Sequence, residues 1–297
     1  MGLDTVAFNN LAVQNISVAL ATNITGSSRA YRGMEGIVGI QPARIEYSKY
    51  GEWNNPFEQA VRNGQLKKPY LTATFVKANR RTGRGGGGRY TFGSTDDAAT
   101  RGSLTWVNTT SANYWGFSFD AVKVGSKDAT DQDDPYKRVI IDTGSALNYF
   151  SDTVAASINA QITGAVDSSS NSTTDGEDVD GDSTPYLVPC RTGLPEYENQ
   201  LPRNKRNKPF SVTIAGRDFQ IPVSDFVFWP LEPQTPADRK SKKEAMCLSA
   251  FQPTSAAFAV LGDVFLKNHV VTFDTGTPGP EPTFTGRRIG FGDRRDV

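Results

Sequence analysis

One stretch of the chain combines residue types and spacing that suit acid–base chemistry. Val139-Ile140-Ile141 is followed directly by Asp142-Thr143-Gly144-Ser145. An apolar strand would deliver Asp142 onto a tight turn, where Gly144 has no Cβ and lets backbone N–H groups approach the carboxylate. Thr143 and Ser145 would supply hydroxyls to the same network, which holds a carboxylate in place and favours its ionised form. Asp142 is therefore a candidate catalytic group. For the motif alone, a strand followed by an Asx-type turn is the alternative.

Two further residues could carry chemistry, and neither is expected to. Asp274-Thr275-Gly276 repeats the motif, but Pro278-Gly279-Pro280 follows it, so Asp274 is predicted to form a turn. His269 is the only histidine in the 297 residues. Its neighbours offer no nucleophile motif such as G-x-S-x-G, so we expect a strand residue and not a catalytic base. A single histidine also cannot build a zinc site that needs several histidine ligands. Any proton transfer is therefore expected to use carboxylates.

Strands are the elements that must position Asp142. Short alternating stretches rich in Val, Ile, Thr, Phe and Tyr, bounded by Gly, Asn and Asp, predict half-buried strands. These stretches are residues 16–20, 70–76, 103–107, 117–122, 210–214 and 270–273. Helices are predicted only at residues 56–63, stopped by Gly64, and 151–162, capped by Ser151 or Asp152 and ended by Gly164. The predicted fold class is all-β.

Composition narrows the possible partners. The 32 Lys and Arg residues balance 32 Asp and Glu, and the pI is about 6.6. Nucleic acid is therefore not expected as the main partner, because phosphate binding needs surplus positive charge. No run of 18 apolar residues occurs, so no membrane span is expected. The first residues lack a charged region followed by an apolar core, so no signal peptide is expected within this chain.

Several polar segments are predicted to be surface loops. Residues 80–89 hold four Arg around four consecutive Gly, which is typical of a hairpin tip; an RNA contact is the alternative. Residues 166–183 are rich in Asp but lack the ligand spacing of an EF-hand, so a solvated loop is expected and a calcium site is the alternative. The basic clusters at 203–208 and 239–243 are interpreted as solvated loops too.

Sequons and cysteines bear on where the protein is made. The four N-x-S/T sequons, which are glycosylation candidates, begin at Asn15, Asn23, Asn108 and Asn171. Together with an even pair of cysteines they favour the secretory pathway, with a secreted or vacuolar destination.

Several segments, in the right order, resemble the pepsin-like aspartic proteases over nearly the whole chain. Val260-Leu261-Gly262-Asp263, with residues 271–274 and 288–291, resembles the end of that family's C-terminal lobe, where an apolar-apolar-Gly segment passes beside the catalytic loop. Tyr114-Trp115-Gly116-Phe117 resembles the entry to that lobe. The remaining similar segments are residues 34–40, 92–94 and 102–107. Cys190 and Cys247 fall where the family has its C-lobe disulfide; two unpaired buried thiols are the alternative.

The resemblance implies a bilobal pepsin-like fold, with residues 1–108 as a remnant of the N-terminal lobe and 109–297 as the C-terminal lobe. It implies an endopeptidase that acts on protein or peptide substrates as a monomer, with no metal or other cofactor. In that family two Asp residues share a proton and activate a water that attacks the peptide carbonyl. Here Asp142 would be one of them, Thr143, Gly144 and Ser145 would orient it, and Tyr114 would line the substrate cleft.

The resemblance also predicts a gap. Nothing before Asp142 matches apolar-apolar-D-[ST]-G: Asp4-Thr5-Val6 lacks the Gly, and Thr95-Asp96-Asp97 keeps only the Asp. The family's first catalytic Asp and flap Tyr are therefore not expected among these residues, and the N-terminal lobe should be incomplete. Three explanations stay open. The chain is a piece of a longer protease, an inactive relative that serves as a peptide- or protein-binding module, or a homodimer that pairs two Asp142 loops.

Overall fold

Strands dominate the computed structural model, which describes residues 2–22, 35–42, 55–79, 86–131, 137–168, 184–228, 245–280 and 283–296. The strands are β1 (Gly2–Phe8), β2 (Leu11–Val18), β3 (Tyr70–Val76), β4 (Gly87–Phe92), β5 (Thr100–Asn108), β6 (Gly116–Ser118), β7 (Ala121–Val124), β8 (Lys127–Asp128), β9 (Arg138–Ile141), β10 (Asn148–Phe150), β11 (Val166–Asp167), β12 (Tyr186–Pro189), β13 (Phe210–Ile214), β14 (Arg217–Ile221), β15 (Met246–Leu248), β16 (Phe251–Pro253), β17 (Ala259–Leu261), β18 (His269–Asp274), β19 (Thr277–Pro278), β20 (Phe284–Thr285) and β21 (Arg288–Arg294). The α-helices are α1 (Pro56–Arg62), α2 (Asp152–Asn159), α3 (Pro195–Glu198) and α4 (Asp263–Leu266). The all-β fold class is confirmed.

Two five-stranded sheets lie around the D-T-G-S segment. In the first, which we call the loop sheet, the strand order is β16-β10-β17-β9-β6, and β9 runs parallel to β17. In the second, the central sheet, the order is β4-β3-β18-β21-β5 and all neighbours are antiparallel. The central sheet therefore joins strands from the first part of the chain to strands near its C-terminal end. The remaining sheets have the orders β11-β12-β15, β14-β13-β7-β8, β1-β2 and β19-β20.

Inner strands are buried on both faces, which corrects the prediction of half-buried strands. All of β13 and β18 and most of β3 are buried. The threonines that make β3 look half polar are hydrogen-bonded inside: the Thr72 and Thr272 hydroxyl oxygens lie 2.9 Å apart, and the Thr74 hydroxyl donates to Asp96 at 2.8 Å. Because a paired hydroxyl is buried at little cost, alternation predicts the strand but not its burial.

Several predicted boundaries also change. Residues 117–122, predicted as one strand, are divided between β6 and β7. Helix α2 ends at Asn159, before residue 162, and the Ser151 side chain makes no capping hydrogen bond. Strand β4 begins at Gly87, so the end of the predicted hairpin tip is strand. Residues 80–85, 169–183 and 239–243 of the predicted loops lie outside the described residues. By contrast, β3 and the start of α1 match their predictions.

A disulfide and a large aromatic core hold the sheets together. Cys190 and Cys247 are bonded to each other, next to the paired strands β12 and β15, as the resemblance implied. One apolar cluster extends beneath both five-stranded sheets and contains Phe57, Phe117 and Phe291. Within the described residues, no helix is long and apolar enough to cross a membrane.

Candidate active site

Asp142 lies directly after β9, in a turn that holds its carboxylate by two hydrogen bonds. The Gly144 backbone N–H donates to Oδ1 at 2.9 Å, and the Ser145 hydroxyl donates to Oδ2 at 2.6 Å. The Asp142 backbone N–H donates to the Leu261 carbonyl at 3.1 Å, which ties the turn to β17. The side chain is half-buried, and within the described residues no Lys or Arg forms an ion pair with it. The carboxylate is thus oriented and still accessible.

Close packing of the apolar-apolar-Gly segment fixes the floor of the turn. A Cβ on Gly262 would lie 2.3 Å from the Ser145 carbonyl oxygen and 2.4 Å from that of Leu147. The Gly262 N–H donates to the Asn148 Oδ1 at 3.1 Å, and the Asp263 N–H donates to the Ser145 carbonyl at 2.8 Å. Only glycine fits at position 262, because real Cβ atoms essentially never approach backbone this closely. Asn148 is a supporting residue to which the sequence pattern gave no role.

A second carboxyl group, Asp263, lies beside this turn. It is half-buried, and its Oδ1 has no hydrogen-bond partner among the described residues. Burial raises the pKa of Asp263 to about 6, with Lys267 opposing the rise and the Asp142 carboxylate adding to it. The sequence pattern places Asp263 next to the catalytic loop through the Gly262 segment, but it carries no signal for this burial.

Thr143 does not join the hydrogen bonds of the Asp142 carboxylate among the described residues. Gly144 and Ser145 supply them, so the predicted contribution of the Thr143 hydroxyl is not seen. Tyr90 and Thr143 border the same cavity of about 360 Å³. Tyr90 was absent from the candidate residues, since no motif marks it.

The second Asp-Thr-Gly forms the same turn in a different environment. The Gly276 N–H donates to the Asp274 Oδ1 at 2.8 Å, as Gly144 does to Asp142. The other oxygen of Asp274, however, accepts a 2.7 Å hydrogen bond from the Arg288 guanidinium, and the Asp274 side chain is only 5% exposed. A buried, neutralised carboxylate cannot activate a water, so Asp274 forms a turn and a structural ion pair.

Tyr114 and His269 have different environments. The Tyr114 side chain is 39% exposed and its ring lies 5.3 Å from that of Phe258, while the adjacent Trp115 carbonyl accepts the Ile141 N–H at 3.0 Å. Tyr114 therefore lies beside the strand that leads into Asp142. His269 is only 3% exposed, and its ring contacts those of Phe219 and Phe265.

Two of the four sequons fall within the described residues. Asn108 is exposed at the end of β5, an edge strand of the central sheet. Asn15 lies in β2 with a φ of 61°, a left-handed backbone conformation that Asn tolerates better than most residues. Asn23 and Asn171 lie outside the described residues.

A strand-rich fold in which an Asp-Thr-Gly turn packs against an apolar-apolar-Gly segment defines the class of aspartic proteases. The family model described as eukaryotic aspartyl protease matches residues 1–279, and the chain belongs to that family.

Individual relatives agree with this assignment. The chain is 30% identical over 276 residues to rhizopuspepsin of Rhizopus chinensis and 27% identical over 276 residues to syncephapepsin of Syncephalastrum racemosum. Each match covers 93% of this chain and 58% of the relative, so the chain spans well under two thirds of their length. The crystal structure of the aspartic proteinase from Irpex lacteus has the same fold, with a TM-score of 0.68 at 17% identity, covering 99% of this chain and 76% of that one.

Proposed function

We propose that this chain contributes one of the two catalytic carboxylates, Asp142, to an aspartic endopeptidase that cleaves protein or peptide substrates. The observation that carries the proposal is the contrast between two identical turns. Asp142 is oriented by hydrogen bonds yet half-exposed and free of ion pairs among the described residues, while Asp274 is neutralised by Arg288. A carboxylate used as an acid–base group must be oriented and accessible, and of these two Asp residues Asp142 alone is both.

The chemistry needs a second carboxylate, which shares a proton with Asp142 and lets the pair activate a water. That water attacks the peptide carbonyl while the pair takes up and returns the proton. The sequence before Asp142 contains no apolar-apolar-D-[ST]-G segment. We propose that the partner Asp belongs to a longer protein that contains this chain. The coverage of 58% of the relatives' length supports this view.

The same proposal extends to organisation and location. Residues 1–108 would belong to the N-terminal lobe and 109–297 to the C-terminal lobe, with Tyr114 lining the cleft between them. The protein would act as a monomer in the secretory pathway, secreted or vacuolar, with glycans on sequons such as the exposed Asn108. Two observations support the secretory assignment: the disulfide between Cys190 and Cys247, and the sequons themselves.

Cleavage of denatured haemoglobin at acid pH tests the activity. The assay compares this chain with the longest protein encoded by its gene, each as wild type, Asp142→Ala and Asp274→Asn. We expect cleavage by the longer protein only, lost in Asp142→Ala and kept in Asp274→Asn. Because both substitutions alter an Asp-Thr-Gly turn, the second controls for general damage. Cleavage that survives Asp142→Ala would refute the proposal.

Two other outcomes identify the alternatives. Cleavage by the 297-residue chain alone, lost on Asp142→Ala, would show that no further segment is needed; a dimer on size-exclusion chromatography would then indicate pairing of two Asp142 loops. Stop codons in every frame before Met1, with peptide binding but no cleavage, would indicate a non-catalytic binding module instead.

A further inference from the structure

The peptide group between Leu261 and Gly262 is hydrogen-bonded at both of its polar atoms. Its carbonyl oxygen accepts the Asp142 N–H at 3.1 Å, and its N–H donates to the Asn148 Oδ1 at 3.1 Å. Because a peptide group is planar, the direction of its N–H fixes the direction of its C=O. The Asn148 side chain therefore orients the carbonyl that holds the Asp142 backbone.

This peptide group needs such an anchor because one of its two residues is glycine. A Cβ on Gly262 would lie 2.3 Å from the Ser145 carbonyl oxygen and 2.4 Å from that of Leu147, so no side chain can be accommodated there. Glycine has more backbone freedom than any other residue. Hydrogen bonds must then set the direction of the peptide group, and the bond from the Gly262 N–H is made to a side chain.

Asn148 occupies a position where an amide is costly. The residue is 0% exposed, and among the described residues its Nδ2 has no hydrogen-bond partner. It begins β10, which lies between β16 and β17 in the loop sheet. A buried N–H group without a partner costs folding free energy. A leucine of similar size would avoid that cost, so stability does not account for the asparagine.

We propose that Asn148 is a positioning residue for the Asp142 turn: its side-chain oxygen holds the Leu261–Gly262 peptide group, whose carbonyl holds the Asp142 backbone. The proposal rests on the proposed function of Asp142. Because Asn148 is fully buried, it does not touch substrate. Its loss should therefore lower the rate of the chemical step and leave substrate affinity unchanged.

Asn148→Leu removes the oxygen and keeps a similar volume, and Asn159→Leu is the matched control. Asn159 is also a buried amide, at 1% exposed. Its Nδ2 donates to the Ala155 and Phe251 carbonyls at 2.9 Å each, and its Oδ1 accepts the Ser249 hydroxyl at 2.7 Å. The control thus loses more hydrogen bonds than the test variant, but none of them leads to the Asp142 turn.

The variants are compared in the protein that shows Asp142-dependent cleavage, with rates expressed per folded molecule. We expect Asn148→Leu to lower kcat about tenfold with KM unchanged, as loss of one hydrogen bond behind a catalytic loop would. Asn159→Leu should lower the melting temperature more and keep the wild-type kcat. Asn148→Asp, when protonated at acid pH, keeps one acceptor and one donor and should restore kcat.

Equal kcat values for Asn148→Leu and Asn159→Leu would overturn the proposal. Alanine at the same two positions repeats the comparison if a leucine variant does not fold.

A second measurement uses the 297-residue chain and needs no activity. Hydrogen exchange of single backbone amides, followed by NMR, reports local opening. The amides of Asp142 and Asp263 both donate hydrogen bonds where the turn meets the end of β17. We expect both to exchange about tenfold faster in Asn148→Leu, while the amide of Gly276, in the second Asp-Thr-Gly turn, keeps its rate.

Unchanged exchange at Asp142 and Asp263 would overturn the positioning role even if no cleavage is found. Cleavage that persists in Asp142→Ala would refute the proposed function first, and the positioning role with it.

Discussion

Replacing His269 with Phe should remove an acid-sensitive weakness from the core. His269 is the only histidine, and its ring packs against Phe219 at 5.3 Å and Phe265 at 4.5 Å between centroids. Neither ring nitrogen has a hydrogen-bond partner of good geometry among the described residues. Phenylalanine fills the same aromatic site without a polar atom, so the variant loses no hydrogen bond of good geometry and should fold.

The size of the effect follows from the cost of protonating His269 at this buried site. Burial lowers the pKa of His269 from 6.5 to about 4, with Asp293 and the backbone at Gln220 partly offsetting it and Lys77 and Arg217 adding to it. In the unfolded chain the imidazole binds its proton near pH 6.5, so the unfolded state holds more protons between that pH and about 4. Stability is therefore lost as the pH falls through this range. At 1.36 kcal/mol per pH unit the loss amounts to about 3 kcal/mol.

Urea unfolding at pH 7 and at pH 4, for the wild type and His269→Phe, measures this directly. We expect the free energy of unfolding of the variant minus that of the wild type to be about 3 kcal/mol larger at pH 4 than at pH 7, which means that the variant gains relative stability in acid. Every other titrating group is present in both proteins and cancels in the difference. The single histidine also gives one imidazole NMR signal, which should titrate near pH 4. An unchanged difference between the two pH values, or a titration near 6.5, would refute this reasoning.

Three shorter predictions concern the site and its support. Asp263→Asn should raise the free energy of unfolding at pH 7 by about 1–2 kcal/mol and leave it unchanged at pH 3.5. Because the wild-type carboxyl has a pKa of about 6 in the folded state, the wild-type protein loses stability as the pH rises from 3.8 to 6. The partial exposure of Asp263 reduces the size of this loss. Urea midpoints at the two pH values check it. In the longer protein, Gly262→Ala should abolish cleavage by displacing the Ser145 carbonyl, as an activity assay on folded protein would show. Reduction of Cys190–Cys247, which are 57 residues apart, should cost about 4 kcal/mol and lower the melting temperature.

Local motifs made the loop and its floor predictable. Gly144 and Ser145 hold Asp142 as their spacing indicates, and the apolar-apolar-Gly segment packs beside them because only glycine fits there. Long-range contacts were not predictable. Tyr90 lies in another sheet, and nothing in its neighbourhood along the chain indicates that it borders the same cavity as Thr143.

Burial is the other property that could not be predicted from the sequence. Thr72 and Thr74 suggest an exposed strand face, yet both are buried and hydrogen-bonded. Asp274 has the same motif as Asp142, and only the position of Arg288 on the paired strand β21 shows that its carboxylate is neutralised. The sequence pattern alone predicts that a segment is a strand. Whether both faces of that strand are buried depends on which other elements pack against its sheet.

One short helix connects the two groups whose pKa values burial shifts most, Asp263 and His269. Helix α4 begins at Asp263, beside the Asp142 turn, and carries Phe265, whose ring contacts His269. Above about pH 6 the buried Asp263 must hold a negative charge, and below about pH 4 the buried His269 must hold a positive one. Each charge costs folding free energy because the site around it is poorly solvated. Between these limits both groups are neutral in the folded chain. In the mildly acidic range, therefore, neither the Asp263 charge beside the Asp142 turn nor the His269 charge in the core opposes folding.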